Sequence, residues 1–389
     1  MRVVHVIPSL DPATGGPPVV AARLAAAQAA LGCQTTVISY RFPDAEVNVE
    51  KDFRTIPGIG DVRLEYLPPL TRKERFLALD ARKRLEPLLK GADVIHLHGV
   101  WDPLIYAAAS VAGRMGLGYV LTPHGMLDPW SIAQKRWKKT LALILGYRRM
   151  LDRAAFLHFL NADEQALVKD LCLKSKSEVV PNGIFLEEID PLPAEGTFRA
   201  TRSWLGEKPF VLFLSRLHYK KGMDFLADAF ALVAKRFPEA QLVVAGPDAG
   251  AKDNFEAQIR RLGIGDEVHL IGPIYGPEKL AALVDCDCFC LPSRQEGFSL
   301  AVTEALACRA PVVISTSCHF PEVRSAGAGI VTELDAQQIA DGLCTVLGDT
   351  ESAARMGKAG RELVTSRFTW PSVAGQMIRA YQVHITQAH

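Results

Sequence analysis

Missing from this 389-residue chain is any apolar run near the ~18–20 residues that a membrane-spanning helix needs. The first segment, MRVVHVIPSLDP, holds one arginine and is broken by Pro8 and Asp11, so it reads as a first strand and not as a secretion signal. Cytoplasmic residence is the expectation. No C-x2-C pair occurs among the eight cysteines, which argues for reduced, buried thiols. Complete phosphate-binding fingerprints are also lacking. The G-x-G triplets at Gly58/Gly60, Gly116/Gly118, Gly263/Gly265 and Gly327/Gly329 have no third glycine, and no G-x4-G-K-[ST] is present. Nicotinamide-dependent dehydrogenases and P-loop nucleotidases are thereby set aside. Nucleic acid is not an expected partner.

What is present is an alternation of strand and helix, twice over. Strand-like runs at 3–7, 35–39, 62–67, 93–98, 119–124, 156–160 and 178–181 are separated by helical patterns at 17–31, 71–90, 102–114, 130–153 and 162–172. Further strands are expected at 210–215, 241–246, 267–272, 288–292, 311–315 and 329–333, with helices at about 222–236, 251–262, 276–284, 298–308 and 336–347. Such alternation means parallel sheets covered on both faces. The length suggests two domains, and IDPLPAEGT (189–197) reads as a linker. Charge divides unevenly: residues 1–185 carry 24 Lys+Arg against 18 Asp+Glu, residues 186–389 carry 20 against 25. The basic half is the one suited to an acidic surface.

The most informative segment is SRQEGFSLAVTEALACRAPVVIS (293–315), with Glu296 and Glu304 eight positions apart. It reads as a loop carrying Glu296 and a helix carrying Glu304, between two strands. Ligands of open parallel sheets sit beyond the carboxyl ends of the strands. One carboxylate there reads equally as a charge at a helix N-terminus. Two acceptor-only groups in an apolar segment suit a ligand rich in hydroxyls, such as a sugar or a ribose.

The order S-R-x-E-G-F-S-L…E-A-L-A…P-V-V resembles the Glu–x7–Glu signature of the retaining glycosyltransferases of family 4. The resemblance implies the α/β GT-B fold, two Rossmann-like domains facing across a cleft. They would span 1–185 (acceptor-binding) and 186–368 (nucleotide-sugar-binding), with a last helix, 369–389, crossing back to the first. By the same resemblance Glu296 holds hydroxyls of the donor sugar and Glu304 the ribose, with Gly297, Phe298, Ser299 and Leu300 forming the donor loop between them.

Other residues then acquire roles. In LSRLHYKKGMD (214–224), Arg216 and Lys221 followed by a helix N-terminus read as a solvated basic turn or as a pyrophosphate site. The R-L-x3-K-G pattern resembles the family's cations that neutralise the leaving diphosphate. Gly15 and Gly16, before Pro17 and Pro18, let a backbone approach a ligand, and the family packs a similar loop on the donor phosphates. His124 in TPHGML is either structural or, as the resemblance implies, a catalytic-site histidine bonded to the donor sugar. His98 is a secondary candidate, while His96 shares a face with Val94 and reads as packing. Gly246 and Gly272 end strands where the family holds the base through backbone groups, and Asn182 in PNGI lies at its domain junction. Asp285 and Asp287 do not read as a metal site, because they begin a strand at the end far from the ligand. Cys286, Cys288 and Cys290 read as core residues. No metal and no cofactor are expected; the charge on the leaving group falls to Arg216, Lys221 and helix dipoles.

The expected activity is metal-independent retaining transfer of a hexose-type sugar from a nucleoside diphosphate, UDP ahead of GDP, to an acceptor hydroxyl. The acceptor would be a bacterial surface polysaccharide or its lipid-linked precursor. Helices 71–90 and 130–153 each carry seven Lys/Arg. With an apolar line at Trp130, Trp137, Ile144 and Leu151, and Leu141 and Leu145 beside it, the second reads either as packed on the sheet or as lying on an anionic membrane. The latter would make the protein peripheral on the inner face of the plasma membrane. Two rival readings are a GT-B-fold nucleotide-sugar epimerase or hydrolase, and a non-catalytic nucleotide-sugar sensor.

Overall fold

The computed structural model describes residues 1–14, 16–41, 53–69, 71, 74 and 78–385. They fall into two compact units, Met1–Asn182 with Trp370–His389, and Gly183–Thr369.

The first unit holds seven strands: β1 (Arg2–Val6), β2 (Gln34–Tyr40), β3 (Arg63–Leu67), β4 (Val94–His98), β5 (Tyr119–Thr122), β6 (Phe156–Phe159) and β7 (Lys176–Val179). Their order is β3-β2-β1-β4-β5-β6-β7, every pairing parallel. The winding reverses between β1 and β4, where the register sets His5 beside His96. The helix Gly16–Ala30 buries Ala21, Ala22, Ala25, Ala26 and Ala27, small residues that allow close packing. It packs against the C-terminal helix Trp370–His384, whose Trp370, Met377 and Tyr381 are fully buried.

The second unit repeats the winding with six strands: β8 (Phe210–Leu214), β9 (Gln241–Ala245), β10 (Val268–Gly272), β11 (Cys288–Leu291), β12 (Val312–Ser315) and β13 (Gly329–Thr332). Their order is β10-β9-β8-β11-β12-β13, again all parallel, reversing between β8 and β11. Phe210, Phe213, Phe230, Phe289, Cys288 and Cys290 belong to its core. Burial raises the thiol pKa of Cys286, Cys288 and Cys290, as in inert core residues.

Three expectations need correcting. IDPLPAEGT is no linker: Ile189 is buried in the second core, and the amides of Gly196 and Phe198 donate to Asp285 at 2.7 Å each. The two compact units divide at Asn182/Gly183 and Thr369/Trp370. The stretch 130–153 is not one helix but Pro129–Ala133, Arg136–Ala142, a π segment Leu143–Tyr147, and Arg148–Arg153. Lys135 takes a left-handed conformation (φ 56°), and Gly146 sits at φ 126°, where a Cβ would lie 2.5 Å from the Tyr106 hydroxyl. Within 71–90, the helix runs Leu79–Leu89; residues 72, 73 and 75–77 lie outside the described residues. Among the described residues no helix is long and apolar enough to cross a membrane.

Candidate functional site

In the second unit the winding reversal is spanned by an ion pair. The loop after β8 reaches the loop after β11 at Gly222 (φ 68°), where a Cβ would stand 1.8 Å from the Pro292 carbonyl oxygen. Only glycine fits that approach. Arg294 then ties the loops: its amide donates to the Lys220 carbonyl at 2.7 Å, and its guanidinium meets both Asp224 oxygens at 2.7 and 2.5 Å. On this frame Lys221 Nζ lies 2.5 Å from Glu296 Oε1, and Ser293 Oγ donates to the same oxygen at 2.6 Å. Oε2 of Glu296 takes no partner among the described residues. Glu304, on the helix Leu300–Ala307, is held similarly: Lys279 Nζ donates to its Oε1 at 2.8 Å. Each carboxylate thus has one oxygen tied to a lysine and one open to a hydroxyl donor.

The other candidates of this unit have their own local settings. Ser299 caps the Glu304 helix by accepting from the Val302 amide, which is why that helix starts two residues later than its apolar pattern suggests. Phe298 packs its ring on Phe320 and Phe368, Gly297 is exposed and Leu300 half-buried. Arg216 lies two residues past β8, exposed, with no side-chain partner among the described residues. Gly246 follows β9 directly at φ 149°, a Cβ there standing 1.9 Å from the Ser215 carbonyl oxygen; Gly272 ends β10 at φ 75° in open space. Asp285 and Asp287 are committed elsewhere. Asp285 accepts from the amides of Gly196, Phe198 and Arg199, and Asp287 pairs with the Arg199 guanidinium at 2.9 Å.

In the first unit the reversal is filled by histidines. A cavity of about 330 Å³ opens at the carboxyl ends of β1 and β4, lined by Pro8, Pro17, Pro18, His98, Trp101 and Met126 among others. Gly16 begins the adjoining helix and is exposed; Gly15 lies outside the described residues. His124, at φ 52° just past β5, places Nε2 3.1 Å from His98 Nδ1. Asn182 is buried at the end of the unit. Behind His98, contacts continue through His5 (3.0 Å), Gln28 (2.8 Å), Tyr381 (3.2 Å), His96 (2.6 Å), Thr122 (2.6 Å), His158 (2.8 Å) and the Val180 carbonyl (2.7 Å). Burial lowers the pKa of all five imidazoles, to about 4 for His5 and His158 and about 3 for His124, and well below the ordinary value for His96 and His98. They are neutral at pH 7. His5, His96 and His98 bring ring nitrogens within 4.8 Å of one another, close enough to suggest a metal. All six nitrogens of these three rings already have a protein partner, so a cation there would displace hydrogen bonds at every ligand.

Motif reading finds Lys221, Glu296 and Glu304 but misses Lys279, Ser293, His5, Gln28 and Tyr381. A lone cation following the Gly272–Gly276 loop was the available signal for Lys279. The alternation of His5, His96 and His98 with apolar neighbours was the available signal for the histidine cluster.

Residues 15–183 match the family described as a glycosyl transferase 4-like domain, and residues 196–363 match glycosyl transferases group 1. The MMP α-(1→4)-mannosyltransferase of Mycolicibacterium hassiacum is 33% identical over 289 residues, 70% of this chain and 67% of that protein. The GDP-mannose-dependent α-(1-6)-phosphatidylinositol monomannoside mannosyltransferase of Mycobacterium tuberculosis is 31% identical over 213 residues, 51% of this chain. In that match the chain spans about half the relative's length, 54%. Among solved structures, HepE from Anabaena in complex with UDP superposes with a TM-score of 0.80 at 18% identity, over 98% of this chain and 100% of that one. The likeness is one of fold, and it carries the expectation of two Rossmann-like halves of GT-B type.

Proposed function

Because the chain belongs to the group 1 glycosyl transferases, we propose that it transfers a hexose, with retention, from a nucleoside diphosphate sugar to an acceptor hydroxyl. The observation that carries this reading is the Lys221–Glu296 pair across the β8/β11 reversal, each carboxylate of the signature keeping one open oxygen. Glu304 takes the ribose, Glu296 the sugar hydroxyls, and Lys221 with Arg216 the diphosphate, whose negative charge grows as the glycosidic bond breaks. Anion binding draws Lys221 from Glu296, leaving Oε1 bonded to Ser293 alone and able to accept from the sugar as well. The loops that begin at Gly246 and Gly272 approach the base through backbone groups. His124 accepts from a hydroxyl of a sugar substrate. Retention follows from front-side displacement, in which the departing phosphate oxygen takes the acceptor proton and no protein nucleophile is needed. The cations and helix dipoles supply the positive charge, so the reaction proceeds without a divalent metal.

The acceptor is a glycolipid or lipid-linked glycan. Supporting this, Trp137, Leu141, Ile144 and Leu145 are exposed beside exposed Lys135, Arg136 and Lys138, while Leu151 leaves the stripe for the core. A basic, apolar surface of that kind suits anionic lipid. The relatives' names add mannose to the donor sugars to test, and GDP alongside UDP as the nucleotide.

Incubation with labelled UDP- and GDP-hexoses, with and without membrane extract, tests the reading. Acceptor-dependent transfer supports it. Conversion of donor alone, or binding without turnover, replaces it with an epimerase, a hydrolase or a sensor. Thermal shifts with UDP, GDP and dTDP identify the nucleotide, since the one that binds the folded state stabilises it.

A further inference from the structure

The eight contacts from His124 to Val180 have only one consistent direction. Val180 offers a carbonyl oxygen, which accepts and never donates, so His158 carries its proton on Nε2 and leaves Nδ1 as an acceptor. Thr122 then donates its single hydroxyl proton to His158 Nδ1 and accepts from His96 Nε2–H. His96 Nδ1 accepts the Tyr381 O–H, and the Tyr381 oxygen accepts from Gln28 Nε2. The other end of the same amide, Oε1, faces His5 Nε2, which must donate. His5 Nδ1 accepts from His98 Nε2–H, and His98 Nδ1 accepts from His124 Nε2–H. The direction imposed from Val180 calls for Gln28 Nε2 toward Tyr381 and Oε1 toward His5, the orientation that the amide has. Neutrality of all five rings gives each one donor and one acceptor, as the chain requires.

We propose that this is one polarised hydrogen-bond chain, anchored at the Val180 carbonyl, that locks His124 as its Nε2–H tautomer and presents Nδ1 as an acceptor for a sugar hydroxyl. Nδ1 of His124 takes no partner among the described residues, so it is the chain's open end. The proposal rests on the reading of His124 as a sugar-binding residue. It adds that His98, His5, Gln28, Tyr381, His96, Thr122 and His158 are positioning residues acting through it. Reversing every bond would turn the outer end into an N–H donor and would set two acceptors against each other at Val180. Tyr381 on the C-terminal helix is the joint between the anchored and the open halves of the chain. Without its hydroxyl the Gln28 amide is free to rotate, and rotation reverses His5, His98 and His124 together.

The full chain labelled with ¹⁵N-histidine, studied by multiple-bond ¹H–¹⁵N correlation at pH 7.5, reads the tautomers directly. Five histidines should appear as neutral Nε2–H tautomers, and equimolar zinc should leave them unchanged. Tyr381→Phe should introduce an Nδ1–H population at His124 and lower kcat/KM for the sugar donor by about 3–10-fold, the worth of one hydrogen bond, with free-nucleotide affinity intact. Phe156→Leu, which trims a ring 6.3 Å from Tyr381 and no hydrogen bond of the chain, should leave the tautomers as they are. An Nδ1–H or charged His5, His98 or His124 in the wild type would overturn the chain, as would zinc coordination or unchanged tautomers in Tyr381→Phe. If the tautomers behave as stated while donor turnover is untouched, the chain stands and the sugar-binding role of His124 falls.

Discussion

The two units wind their sheets in the same order, the first with one more strand at its edge, yet they fill the reversal of the winding in opposite ways. Between β8 and β11 stands a charged pair, Lys221 on Glu296, with a second, Lys279 on Glu304, nearby in the same unit. Between β1 and β4 stand neutral histidines, stacked as closely as 4.4 Å between the rings of His96 and His98. Charged groups can exchange one partner for a ligand charge at little net cost, since the ion pair is given up as another forms. A buried neutral chain cannot do so. It can only offer the free valence at its end, and it holds that valence in a fixed sense. The fold supplies the place; the side chains decide whether it serves an anion or a hydroxyl.

The comparison breaks first with pH. Histidines with folded pKa values of about 4 and 3 meet an unfolded value near 6.5, so below that pH the unfolded chain binds more protons. The first unit therefore loses stability as pH falls from about 6.5 toward 4, by up to ~1.4 kcal/mol per pH unit for each such histidine. Hydrogen exchange at pH 7.5 and 5.5 should show amides of β1, β4 and β5 losing protection well before those of β8 and β11. Equal loss in both units would remove the distinction.

Charge is the next lever. Lys221→Ala should lower turnover by about 10²–10³, the size of losing one preorganised donor at a developing charge, without changing the tautomers of the first unit. A rate within threefold of wild type would take Lys221 out of the chemistry.

The two carboxylates should then separate. Glu304→Ala should weaken nucleotide binding by roughly 1.5–3 kcal/mol, the value of a charged hydrogen bond. Glu296→Ala should leave free-nucleotide affinity nearly unchanged and damage turnover of the sugar donor. Calorimetry on both variants decides; equal losses of nucleotide affinity would erase the division of labour.

The smallest effect concerns the surface of the first unit. Exposed cations near anionic lipid are worth about 1 kcal/mol each, and only a few can face the bilayer together. Flotation with anionic vesicles should fall with salt and vanish when the exposed Lys135, Arg136 and Lys138 are reversed to Glu. Equal recovery of both proteins would point to a soluble acceptor.

How far the sequence reaches follows from how local each cause is. Strands covered on both faces are continuous apolar runs, so VVHVI and FVLFLS were legible as they stand. The break in 130–153 was not, because Gly146 takes its conformation where Tyr106 leaves no room for a side chain. At the site, Lys221 and Glu296 sit in compact motifs, so spacing exposes them. Lys279 pairs with Glu304 through tertiary packing, and a lone cation in GPEKLAAL does not by itself name its partner. The histidine chain is the extreme case, running from residue 5 to residue 381 with its direction set by a backbone carbonyl.

Trp370–His384 has a consequence for synthesis. The first unit is completed by a helix translated only after the whole of the second, since Trp370, Met377 and Tyr381 lie wholly inside it. Its sheet must wait, with Gln28 and His96 each short of the Tyr381 hydroxyl, while the entire compact Gly183–Thr369 unit is made. A nascent chain stalled before residue 370 should therefore carry a finished second unit and an unfinished first, making the earlier half the one that needs chaperone protection.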